Sequence, residues 1–103
     1  MILQGNAIGG NMNRRVIREF RKYPQVTLIT RINYQDYIGF NVYTPNLKYD
    51  RELLEALISS EIVILDRYPK KILSFDYRTF NPEVHETPRL CKNEKVIYTH
   101  DRR

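Results

Sequence analysis

VTLITRINYQDYIGFNVYT, residues 26–44, decides the fold class by its alternation. Val26, Leu28, Thr30, Ile32 and Tyr34 fall on one side of an extended chain, and Thr27, Ile29, Arg31 and Asn33 on the other. That period of two predicts a half-buried strand. Gln35-Asp36 supplies a turn, and Tyr37–Thr44 repeats the pattern with Ile38, Phe40 and Val42 pointing inward. Together the two runs predict an antiparallel hairpin. Gly39 is expected at a bulge or a bend.

A hairpin needs something to cover its apolar face, and the flanking segments read as helices. Asn13–Lys22 has a capping residue in Asn13, the apolar set Val16, Ile17 and Phe20, and a stop at Pro24, which restricts Tyr23 to extended backbone. Upstream, Met1–Asn11 contains Gly5, Gly9 and Gly10 and is expected as a flexible lead-in or a short first strand. Downstream, Asp50 caps a second helix. Glu52 and Glu55 sit toward its positive end, and Leu53, Leu54, Leu57 and Ile58 form a stripe. Ser59-Ser60 is expected to loosen the end of that helix. Ile62–Tyr68 and Ile72–Phe80 are expected as strands around the Pro69-Lys70-Lys71 turn. Asn81-Pro82 and Thr87-Pro88 make Glu83–Leu90 a loop or an edge strand. Lys95–Thr99 is a last short strand, and residues 100–103 a frayed tail. The expected fold is α+β, in the order α-β-β-α-β-β. Two helices pack on one face of a mainly antiparallel sheet of four strands, or five with a further short edge strand.

Composition supports a single domain over residues 1–103. The chain is 42% hydrophobic and 28% charged, ordinary globular values, so wholesale disorder is not expected. One cysteine, Cys91, excludes an internal disulfide framework and suits a reducing compartment. No basic residue precedes the apolar positions of Met1–Ile8, so a signal peptide is not expected. The longest apolar run, Ile62–Leu65, is far short of the roughly 20 residues that cross a bilayer. The expectation is a soluble, cytoplasmic protein with no membrane partner.

Charge is the most informative property. Most of the net +5 lies in residues 14–22, where Arg14, Arg15, Arg18, Arg21 and Lys22 face a single Glu19. On a helical wheel at about 100° per residue the five cations cover roughly 340° through zero to 100°. Val16, Ile17, Phe20 and Tyr23 cover about 180° to 300°, so the two arcs do not overlap. Like charges at Arg14/Arg18 and Arg18/Lys22 cost a few tenths of a kcal/mol per pair. Arg14 and Arg15 also oppose the positive end of the expected helix dipole. An anionic partner offsets such penalties, and arginine forks match phosphate oxygens. A second basic group, Arg89, Lys92, Lys95, Arg102 and Arg103, would extend the patch if folding brought it alongside. The plainer alternative is that the charge serves solubility.

Signals for chemistry are sparse. Gly5, Gly9 and Gly10 do not form a nucleotide-binding glycine pattern, and no cofactor is expected. His85, His100 and Cys91 lack the spacings of a metal site or a nucleophile pair. Asp66 and Asp76 on neighbouring expected strands, with Arg78 close by, would be the carboxylates of a metal-dependent nuclease, although arginine cannot replace the usual lysine base. Tyr34, Tyr37 and Tyr43 cluster at the hairpin, and Tyr37 and Tyr43 share the side opposite Ile38, Phe40 and Val42, where they would stack on bases. The expectation is a non-catalytic accessory protein that binds nucleic-acid backbone through its basic helix. Next comes an assembly subunit docking a protein partner, or a second copy, by its sheet edge or tyrosine face. A nuclease is third.

Overall fold

The computed structural model describes residues 2–45, 50–80 and 90–100, with residues 2–9 described by their backbone alone. Six elements follow in order: α1 (Ile2–Phe20), β1 (Leu28–Asn33), β2 (Ile38–Thr44), α2 (Arg51–Arg67), β3 (Leu73–Thr79) and β4 (Glu94–Thr99). The four strands form one sheet in the order β3-β2-β1-β4. The fold is α+β.

The hairpin forms as the alternation predicts. β1 and β2 pair antiparallel from Leu28↔Tyr43 to Asn33↔Ile38, and the Tyr34 N–H donates to the Tyr37 carbonyl at 2.9 Å to close the loop. One expectation fails here: β1 is not half-buried. Leu28, Ile29, Thr30 and Ile32 are all buried, Ile29 in the core beneath the helices and Thr30 against Glu94, while Arg31 is half-buried and Asn33 exposed. Gly39 is neither bulge nor bend, since pairing runs through it on both sides. It makes room for the Tyr34 ring, whose Cε2 would stand 3.0 Å from a Cβ at that position.

The first helix is longer than the sequence suggests. Helix α1 begins at Ile2, so the segment read as lead-in or short strand is helical and Asn13 is not a cap. Its buried stripe is Met12, Val16 and Phe20, spaced by four. Asn13 instead accepts from Arg31 Nη1 of β1 at 2.7 Å, while the Arg31 guanidinium sits 5.8 Å from the Phe40 ring centre.

A larger correction concerns the second helix. Asp50 caps it as expected, its carboxylate accepting from the Leu53 N–H at 2.9 Å. The helix then runs through Ser59-Ser60 to Arg67, so Ile62–Tyr68 is not a strand. The buried positions are Leu53, Leu57, Ser60 and Ile64, a continuous helical stripe that includes one of the two serines expected to loosen the helix end. Ser60 Oγ lies 2.9 Å from the Tyr23 hydroxyl, which also donates to the Ala56 carbonyl at 3.1 Å. Ser60 therefore ties α2 to the turn that follows α1 instead of ending a helix.

With α2 filling the connection, β3 returns parallel to β2, in register from Ile38↔Leu73 to Thr44↔Thr79. The sheet is mixed, not mainly antiparallel, because a helical crossover carries the chain back to the end of the sheet where β2 began. The final antiparallel strand is β4 against β1, with a bulge at Ile29/Thr30. Of the expected later strands, Ile72–Phe80 corresponds to β3 and Lys95–Thr99 to β4, whereas Ile62–Tyr68 belongs to α2 and its cap. The core joins both helices to one sheet face: Met12, Val16 and Phe20, with Leu53, Leu57 and Ile64, meet Ile29, Phe40 and Val42. Phe75 stacks on Phe40 at 5.2 Å between ring centres and tilts against Phe20 at 5.9 Å. Among the described residues no helix is long and apolar enough to cross a membrane.

Candidate nucleic-acid interface

Burying Met12, Val16 and Phe20 turns the opposite arc of α1 outward, and the arginines come with it. Arg14, Arg18 and Arg21 are exposed and Arg15 is half-buried. All four line an open groove of about 710 Å³, together with Asn11 and Ile17 of α1 and with Arg67 and Tyr68 at the end of α2. No carboxylate of a described residue pairs with any of these five arginines. The groove thus gathers five guanidinium groups with no counter-ion among the described residues, each with planar donors matched to phosphate oxygens. Arg67 lies in the last turn of α2, where a cation is favoured by the exposed carbonyl ends of the helix.

The other expected contact residues are distributed differently. Lys22 lies beyond the last turn of α1; its Nζ pairs with Glu19 at 3.3 Å and sits 5.6 Å from the Tyr23 ring centre, outside the groove lining. Lys92 and Lys95 are exposed on the approach to β4 and on it, with Lys95 opposite Arg31 in register. Neither lines the groove. Arg89, Arg102 and Arg103 lie outside the described residues.

The expected stacking pair divides. Tyr37 is exposed and stacks on Tyr34, ring centres 4.4 Å apart. Tyr43 is only 6% exposed, so it offers no face to a base. Its hydroxyl donates to Glu94 Oε2 at 2.7 Å, and burial first, then Glu94, pushes its pKa up to about 12. Glu94 anchors a polar cluster on the sheet face away from the helices. The same carboxylate oxygen accepts from Thr30 Oγ1 and from Asn41 Nδ2 at 3.0 Å, and the other accepts from the Cys91 N–H at 3.0 Å. Arg78 Nε donates to Asn41 Oδ1 at 3.2 Å, completing a relay from Arg78 to the carboxylate. Each polar atom named here has a partner, which makes the cluster a clamp between strands, not an open site.

The nuclease arrangement loses its premise. Asp66 lies on α2 and Asp76 on β3, so the two do not stand on neighbouring strands. Among the described residues no group of three or more His, Cys, Asp or Glu could hold a metal ion. His100 has its Nδ1 3.3 Å from the Tyr98 hydroxyl, Cys91 is exposed, and His85 lies outside the described residues.

Arg67 and Tyr68 are the groove residues that the sequence did not reveal. The signal for them was the helical spacing of four, three and four through Leu53, Leu57, Ser60 and Ile64, which extends α2 to Arg67. Comparison with known proteins finds no matching family model, no matching curated protein and no matching solved structure.

Proposed function

We propose that this protein is a non-catalytic accessory factor that binds nucleic-acid backbone through the arginines of α1, without base specificity. The observation that supports it is the groove holding Arg14, Arg15, Arg18, Arg21 and Arg67 with no internal counter-ion among the described residues. Five guanidiniums in one concavity repel one another, and a run of phosphates relieves that repulsion while releasing condensed counter-ions. Contacts of this kind read charge and spacing, and carry no sequence information.

Filter binding to DNA and RNA over a range of salt concentrations tests the proposal. The logarithm of affinity should fall with the logarithm of salt with a slope of roughly −3 to −5, set by the number of phosphates neutralised. A flat slope, or no binding at low salt, removes the reading.

A second reading has its own observation. The outward side of α2 carries Ile62 at 52% exposure and Val63 at 49%, and the stacked Tyr34 and Tyr37 are exposed at the hairpin tip. Apolar surface of this kind suits a protein partner or a second copy of the chain, with edge strands β3 and β4 as further docking elements. Light scattering across a concentration series distinguishes self-assembly from a constant monomer.

A further inference from the structure

We infer that the arginine groove takes a single nucleic-acid strand, with phosphates on the guanidiniums and one base against the ring of Tyr68, and does not grip the flank of a duplex. The inference rests on the phosphate-binding role proposed above for the same groove and adds the form of the nucleic acid.

Shape is the first ground. The open groove, of about 710 Å³, is comparable in volume with small-ligand clefts and has room for a nucleotide or two of chain. A helix that reads a duplex lies in the major groove as a free convex rod. Helix α1 is not free on this side, because Arg67 and Tyr68 of the neighbouring helix end form part of the same lining.

Chemistry is the second ground. Five arginines share the lining with Ile17 and Tyr68. Phosphate alone has no use for an apolar side chain or an aromatic face, whereas an unstacked base finds its favourable surface there. A duplex keeps its bases stacked on each other and would leave that surface idle.

The third ground is that Tyr68 is held in place. Its ring packs partly against the core, its N–H donates to the Leu65 carbonyl at 3.2 Å, and its own carbonyl accepts from the Lys71 N–H at 3.1 Å. Pro69 restricts the backbone further. A ring fixed before the ligand arrives loses little freedom on binding. The rival platform, Tyr34 on Tyr37, is more exposed but lies at the hairpin tip, apart from the groove lining.

The test compares a labelled oligouridylate with a blunt duplex of equal length, using the whole chain; oligouridylate should bind the more tightly, and tighter binding of the duplex overturns the inference. Tyr68→Ala should weaken oligouridylate binding by about tenfold while leaving its salt slope and the duplex affinity unchanged, and Tyr68→Phe, which keeps the ring, should bind as the parent does. Photo-crosslinking of oligouridylate to the unmodified protein gives an answer that does not depend on a variant folding: the crosslink should map to Tyr68. Equal loss for both ligands, no loss, or crosslinks confined to Tyr34 and Tyr37 overturns the single-strand assignment while leaving backbone binding standing. Absence of binding to either ligand at low salt removes both.

Discussion

A buried carboxylate with no ion-pair partner among the described residues depends on hydrogen bonds for its charge, and Glu94 collects four of them. Burial alone would raise its pKa, but donors from Thr30, Tyr43, the Cys91 backbone and Asn41 outweigh burial and hold the group below the ordinary value of 4.5. A group with a depressed folded pKa contributes stability above its unfolded value and loses it as pH falls through the folded one. The protein should therefore lose stability progressively below about pH 4.5, and Glu94→Gln should flatten that dependence. The variant should also cost about 1–3 kcal/mol at neutral pH, because an amide cannot accept on both ends from donors already in place. Urea unfolding at neutral and acid pH measures both effects; an unchanged acid limb would show that Glu94 is not the group that titrates. Thr44 makes the opposite case. It is fully buried, and its hydroxyl has no partner among the described residues. Thr44→Val keeps the shape and removes that hydroxyl, so it should raise stability by about 1 kcal/mol in the same experiment.

At the scale of elements, α2 governs the topology. Its residues 62–65 are β-branched or leucine, and local propensity alone favours a strand there. The longer helical period wins because Ser60 occupies a buried position and bonds to Tyr23, which the polarity of serine conceals in the sequence. The two assignments predict different burial. A strand places Ile62 and Ile64 on the same face, whereas the helix buries Ile64 completely and leaves Ile62 at 52% exposure. Ile64→Ala should then cost about 2–5 kcal/mol, and Ile62→Ala less than about 1 kcal/mol, by chemical unfolding. Similar costs at the two positions would contradict the helix. The hairpin and the Asp50 cap were legible because each is specified within a few consecutive residues. The parallel pairing of β2 with β3 was not, because it depends on where a helix ends.

For the whole molecule, the basic side of α1 was legible for the same reason as the hairpin: Arg14, Arg15, Arg18 and Arg21 are neighbours in sequence, and the buried stripe fixes which way they face. Arg67 and Tyr68 lie more than forty residues along, and only the packing of α1 against α2 brings them to the same groove. That arrangement separates binding from folding. Arg14, Arg15, Arg18 and Arg21 make no ion pair with a described residue, and their like charges repel one another in the folded state. Removing two of them at once, as Arg14→Gln with Arg18→Gln, should leave thermal stability unchanged or raise it by a few tenths of a kcal/mol, through relief of the like-charge pair one helical turn apart. The same double variant should reduce the salt slope of nucleic-acid binding by about two, one for each phosphate contact removed. Thermal unfolding and salt-dependent filter binding on one preparation give both numbers. If stability falls by more than about 1 kcal/mol, a size that surface substitutions rarely reach, the arginines belong to the fold. If the salt slope is unmoved, phosphate is held somewhere other than on α1.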